Sequence, residues 1–176
     1  MLKKNKNKGF GLMEMLVAMT VFSLTIIIAM GAYLNINASQ KQSMSIRTLN
    51  DNLNFAFEVM TREIMEGSNY SNPGGNTSVF NFTNFNGCSV TYSIVGNRLK
   101  RNESGGSGCN NPDRNLTSSE IMINYIRFTI SGGGSGDTFQ ARVTININAS
   151  INPSIGLSMV GPFNIQTTVS QRQLDS

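Results

Sequence analysis

The sequence predicts an α+β protein in which a long N-terminal helix, membrane-type in its first half and amphipathic in its second, packs on an antiparallel β-sheet domain. Three observations predict it. Residues 10–34 are predominantly apolar with Glu14 the one charged residue, and no charge occurs between Met15 and Gln40. Apolar side chains then recur at spacings of three or four from Ile46 to Ile64. After Pro73 the periodicity changes to two. The chain accordingly divides into a basic leader over residues 1–9, a membrane-type helix over 10–34, an amphipathic continuation over 35–67 and a β domain over 68–176.

The leader holds Lys3, Lys4, Lys6 and Lys8 and no acid. They account for the whole +4 net charge, because the rest of the chain sets ten basic residues against ten acidic ones. A neutral remainder argues against a nucleic-acid-binding domain. A basic segment before a span obeys the positive-inside bias and places the N-terminus in the cytoplasm.

Residues 10–34, at about 1.5 Å per residue, extend about 37 Å against a hydrocarbon core of about 30 Å. Ile26, Ile27 and Ile28 are β-branched, but burial outweighs propensity in lipid. Helical patterning resumes with Ile46, Leu49, Leu53, Ala56, Met60 and Ile64, a stripe suited to packing on a sheet, while Phe55, Phe57 and Val59 widen it and could meet neighbouring subunits. Glu58 and Arg62 form a favourable i,i+4 pair. With no proline before Pro73, the expectation is one helix over Phe10–Gly67, closed at Gly67-Ser68-Asn69.

Strands are expected over Ser78–Phe82, Cys88–Val95, Arg98–Arg101, Ile121–Ile130, Thr138–Ile151 and Phe163–Ser170. In the clearest, Val143, Ile145 and Ile147 alternate with Arg142, Thr144 and Asn146. Gly96-Asn97 reads as a two-residue hairpin turn. Ser131–Asp137 reads as a hairpin loop, and Ser104–Asn115 as a long irregular one.

The absence of His excludes histidine triads, histidine bases and His-containing metal sites, and two Cys are too few for a zinc cage. Cys88 and Cys109 are expected to form a disulfide if this part of the chain lies outside the cytoplasm; two free buried thiols are the alternative. Glu103, Asp113 and Glu120 sit in or beside loops with no recognisable catalytic spacing, so an enzyme is not expected. No cofactor or metal is expected; the Gly132–Asp137 run and Asp113 read as loop residues rather than a calcium site.

Glu14 is the residue that needs explaining. A carboxylate within a membrane helix costs up to about 3 kcal/mol near the centre and less near an end. In a first helical turn the macrodipole favours it. A cut after Gly9 would give Phe10 a free, positively charged amine four residues before Glu14. Glu14 could then pair with its own amine or with that of a neighbouring subunit.

The run Lys8-Gly9-Phe10-Gly11-Leu12-Met13-Glu14-Met15-Leu16 resembles the class III, prepilin-type signal of type IV pilins and type II secretion pseudopilins. The resemblance implies a pilin-like fold and cleavage between Gly9 and Phe10 by a prepilin peptidase, with N-methylation of Phe10. It implies a docking role for Glu14 between subunits. The implied partners are that peptidase, other pilin or pseudopilin subunits and an inner-membrane assembly platform. The implied location is the bacterial inner membrane, single-pass, with the C-terminal domain extracytoplasmic and later in a filament. Gly11 stands where Thr or Ser is commoner, and Gly31 where many major pilins have proline, which favours a minor subunit. Leu49–Glu66 and Phe163–Arg172 resemble J-type minor pseudopilins and related minor pilins. An ordinary secretory signal peptide would share the basic leader and end at Ala29-Met30-Gly31, but Glu14 and the length of the apolar run count against it. A plain signal-anchor would explain the span but not Gly-Phe followed by Glu14. A membrane-anchored extracytoplasmic binding or adhesion module is the alternative function.

Overall fold

The computed structural model describes residues 11–106, 108–109, 113–132, 140–155 and 161–172. These form two compact units, one up to Gln40 and one from Lys41 onward. Helix α1 (Leu12–Met65) contributes to both. It starts where the Gly11 carbonyl accepts the amides of Glu14 (3.0 Å) and Met15 (3.2 Å).

In the second unit α1 buries Ser45, Leu49, Leu53, Ala56, Met60 and Ile64. The stripe is the expected one except at its start, where Ser45 replaces a half-buried Ile46. The Ser45 hydroxyl is satisfied by the Lys41 carbonyl (3.0 Å), which makes its burial tolerable. The helix end leaves carbonyls without intrahelical partners. The Tyr70 hydroxyl donates to the Ile64 carbonyl (2.6 Å), with the Gly67 carbonyl 2.7 Å away, and the Arg172 amide donates to Met65 (2.8 Å).

The strands are β1 (Ser68–Ser71), β2 (Phe80–Thr83), β3 (Ser89–Val95), β4 (Arg98–Ser104), β5 (Arg114–Asn115), β6 (Ile121–Ser131), β7 (Arg142–Ile151) and β8 (Phe163–Ser170). Among the described residues they make two antiparallel sheets, ordered β1-β2-β3-β4-β5 and β6-β7-β8. The helix is thus packed on antiparallel sheets, an α+β pilin-like architecture, with two sheets where the sequence suggested one. The expected strands are present with small shifts, and β8 has the expected bounds. Strands β1 and β5 were not anticipated. Most of the Ser131–Asp137 loop lies outside the described residues.

Between β3 and β4, Gly96 (φ 58°) and Asn97 (φ 61°) turn the chain with both residues left-handed, the geometry that matches strand twist. Strand β7 buries Val143, Ile145 and Ile147 and continues inward with Ala149 and Ile151. The core joins the helix stripe to the inner faces of both sheets. Phe80 links the sheets by stacking on Phe128 of β6, centroids 5.0 Å apart, and on Phe82 (5.5 Å). Cys88 and Cys109 form a disulfide that ties the loop after β4 to the start of β3.

Candidate functional site

In the first unit the helix presents apolar side chains on every side. Leu12, Phe22 and Ile28 are 80%, 66% and 71% exposed, and at about 100° per residue they point in three different directions. A helix apolar all round belongs in a membrane or in a packed bundle of its own kind. Its mean hydropathy over the best 18-residue window is 2.3. The hydroxyls of Thr20, Ser23 and Thr25 inside this stretch are already satisfied. Thr20 donates to the Val17 carbonyl (2.8 Å), Ser23 to Met19 (2.8 Å) and Thr25 to Phe22 (2.7 Å). None of them adds an open polar group to an apolar surrounding.

Glu14 sits in the first turn of this helix, exposed, with the helix's free amides around it. Between it and Lys41 lies no other charged residue. Gly9 and Phe10 lie outside the described residues.

One comparison bears on this geometry. Residues 4–30 match the prokaryotic N-terminal methylation motif. The match covers lysines of the leader, the Gly9-Phe10 junction, Glu14 and most of the apolar helix. It supports a type IV pilin-like prepilin signal and a pilin- or pseudopilin-type precursor, and it points to a structural subunit rather than an enzyme. A prepilin-type motif implies processing by prepilin peptidase and assembly with other pilin subunits. The apolar helix behind the signal is long enough for a membrane anchor. No curated protein and no solved structure matches the chain.

The β domain carries a second polar constellation, which sequence reading did not assemble. Arg101 on β4 is 5% exposed in its side chain and bonds through Nε to both carboxylate oxygens of Glu63 on α1, at 3.0 and 2.9 Å. Its Nη1 donates to Glu103 (3.0 Å), which also accepts from Asn84 (3.2 Å). The Tyr92 hydroxyl donates to Glu63 (2.5 Å). Burial by itself would lower the Arg101 pKa; hydrogen bonds to Glu63 and Glu103 outweigh it and raise the pKa. The Tyr92 phenol is pushed well above its ordinary value, by burial first and the Glu63 carboxylate second. The only local signal was Arg101-x-Glu103 on one strand face; Glu63 lies 38 positions away from Arg101.

Other candidates resolve into structure. Asp113 is bonded by Lys100 and Asn102, which hold its carboxyl below the usual carboxylate range, Lys100 first. Among the described residues no three His, Cys, Asp or Glu side chains group as metal ligands; Asp137 lies outside them. Phe57 and Val59 pack half-buried against the core, while Phe55 stays 52% exposed. Beside them Phe57, Met65, Arg62 and Arg172 line an open groove of about 510 Å³.

Proposed function

We propose that the chain is a minor pilin or pseudopilin, a structural subunit of a type IV pilus-like or type II secretion filament. In this reading the precursor sits in the inner membrane with its leader in the cytoplasm and its β domain outside. Prepilin peptidase cuts between Gly9 and Phe10, and Phe10 is N-methylated. The apolar helices of neighbouring subunits then pack together, with Glu14 pairing to an α-amine. Function is assembly rather than catalysis, and the partners are the peptidase, other subunits and the inner-membrane platform. The missing helix-loosening proline at Gly31 and the resemblance of Leu49–Glu66 to J-type subunits favour a minor, tip-associated place.

One observation carries the reading: Glu14 in the first turn of a helix that is apolar on every side, five residues after Gly9 and within the matched motif. The disulfide fits an oxidising, extracytoplasmic location of the β domain. The test is terminal sequencing and mass analysis of the mature protein. The expected mature chain begins at Phe10 and carries one added methyl group. A chain starting at Ala32, or an uncleaved one, would sink the proposal. Gly9→Leu is expected to leave the leader attached, so that the variant migrates as precursor.

A further inference from the structure

The two sheets carry charge differently. Strand β4 of the five-stranded sheet mixes Arg98, Lys100 and Arg101 with Glu103. Strands β6, β7 and β8 hold two charged residues, Arg127 and Arg142, and no acid. Both arginines are exposed, and neither is ion-paired among the described residues. They project from the face opposite the core, since Ile126, Phe128 and Val143 beside them point inward to the α1 stripe.

One end of this outer face carries a fixed aromatic ring. A β-bulge at Asn124 turns both Asn124 and Tyr125 outward, between the buried Ile123 and Ile126. Tyr125 reaches across β7, and its hydroxyl donates to Asn164 Oδ1 on β8 (3.0 Å). The ring therefore lies along the sheet over Asn148, its partner in register, which is only 9% exposed. The Asn148 amide is bonded at both ends, accepting from Asn124 (2.6 Å) and donating to Asn164 (2.8 Å). Tyr125 itself stays 45% exposed and offers a flat apolar plate.

Arg127 stands one row further, about 7 Å along β6. Its neighbours in register are Asn146 and, beyond that, Gln166. The Asn146 Oδ1 is buried without a hydrogen-bond partner among the described residues. The next row is three threonines, Thr129, Thr144 and Thr168, the last two bonded to each other (3.1 Å). Arg142 closes the patch, about 14 Å from Arg127.

Each feature restricts the ligand. Unpaired guanidinium forks on a face without acids select carboxylates, which they bind with two parallel hydrogen bonds. An unsatisfied acceptor and a row of hydroxyls select a ligand that also brings O–H donors, and a carboxylate alone brings none. A pyranose ring has an apolar C–H face that fits the Tyr125 plate. Nucleic acid fits poorly: duplex DNA has a charge about every 1.7 Å of its axis, and single strands ask for several stacking rings. Two widely spaced cations and one ring suit a polymer with sparse charge and many hydroxyls.

We propose that the outer face of β6, β7 and β8 binds an acidic, uronate-bearing polysaccharide outside the cytoplasm. A sugar ring stacks on Tyr125, carboxylates pair with Arg127 and Arg142, and hydroxyls meet the threonine row. This site belongs to the β domain and does not depend on how the N-terminus is processed.

The full-length chain in detergent, passed over immobilised polygalacturonate, tests this. Lys3, Lys4, Lys6 and Lys8 are changed to Gln in every sample, so that the leader does not hold the polyanion. The chain is expected to be retained and to be released by added salt. Arg127→Gln and Tyr125→Ala are each expected to weaken retention at least about tenfold, which corresponds to about 1.4 kcal/mol. Arg127 is exposed, so Arg127→Gln is expected to keep the parent unfolding midpoint. Arg98→Gln removes the same charge from the other sheet and is expected to leave retention unchanged. Dextran, a neutral polysaccharide, and single-stranded DNA are each expected to be held at least about tenfold more weakly. No retention on polygalacturonate, equal retention on dextran, tighter retention on DNA, or an Arg98→Gln loss as large as that of Arg127→Gln would each overturn the proposal.

Discussion

Arg101 on β4 grips Glu63 on α1 through a single nitrogen, with Nε 3.0 and 2.9 Å from the two carboxylate oxygens. The same guanidinium reaches Glu103 through Nη1. One cation therefore bridges two carboxylates where the helix meets the sheet. Breaking a buried pair by removing one partner leaves an uncompensated charge and costs about 3–5 kcal/mol. Arg101→Ala is expected to lose stability in that range, since Glu103 is as buried as Arg101 itself. Denaturant unfolding of the mature chain measures it; a wild-type midpoint would contradict the role.

Tyr92 makes the same junction sensitive to alkali. Burial and the Glu63 carboxylate raise its folded pKa far above the usual value of about 10. Above about pH 10 the unfolded chain releases this proton while the folded chain retains it. The unfolded state then binds fewer protons, so stability falls as pH rises, and the contribution is fully present below that pH. Tyr92→Phe is expected to flatten the fall between pH 9 and 11 and to lose about 1 kcal/mol at neutral pH with its hydrogen bond. Unfolding midpoints at the two pH values decide; an unchanged alkaline slope would assign the effect elsewhere.

The disulfide closes a loop between residues 21 positions apart. A cross-link of that span is worth about 3 kcal/mol in the chain-entropy model. Replacing Cys88 and Cys109 together by Ser is expected to remove about that much, and reduction of the wild type to do the same. Thermal or urea unfolding with and without reductant reads it out; indifference to reductant would show that the loop is held by other contacts.

What the sequence revealed was what short-range pattern encodes. The alternation at Val143, Ile145 and Ile147, the Gly96-Asn97 turn and the bounds of Phe163–Ser170 all rest on neighbouring residues, and all appear in the fold. The division into two sheets did not show, because a strand's own pattern names its faces and not its partners. Strand β1 was hidden by Gly67-Ser68-Asn69, which reads as a helix stop, and β5 is too short to carry a period. The junction of Glu63, Tyr92 and Arg101 was illegible for the same reason: its members are brought together by tertiary packing. Glu14 was legible because its meaning lies in its distance from Gly9 and in the lack of charge after it.

Gly67 marks how tightly α1 is seated. A Cβ there would lie 2.5 Å from Cδ2 of Phe82 and 3.0 Å from the Glu63 carbonyl. Phe82 is 2% exposed and stacked between Phe80 (5.5 Å) and Tyr92 (5.7 Å), so it has no easy way to retreat. Overpacking of this kind costs about 1–3 kcal/mol. Gly67→Ala is expected to destabilise the β domain by that amount despite adding a better helix former. An unfolding midpoint at or above wild type would show that the helix end can shift.

Glu14 is the residue whose loss should separate folding from assembly. It lies in the unit up to Gln40, outside the cluster of buried side chains that holds the β domain, so Glu14→Ala is expected to leave the domain's stability unchanged. Membrane insertion is also expected, since removing a carboxylate makes the helix more apolar. Under the proposed pairing the α-amine of Phe10 would then lack a counter-ion among packed apolar helices, a defect of several kcal/mol. Incorporation into filaments is expected to fall by more than about tenfold, a factor worth about 1.4 kcal/mol. Glu14→Gln distinguishes charge from shape, because it keeps the side chain's size and hydrogen-bonding oxygen. If charge pairing is the function, Gln fails nearly as badly as Ala, with cleaved subunits accumulating in the membrane fraction and missing from sheared filaments. Wild-type incorporation of Glu14→Gln would refute the pairing and leave Glu14 a packing role.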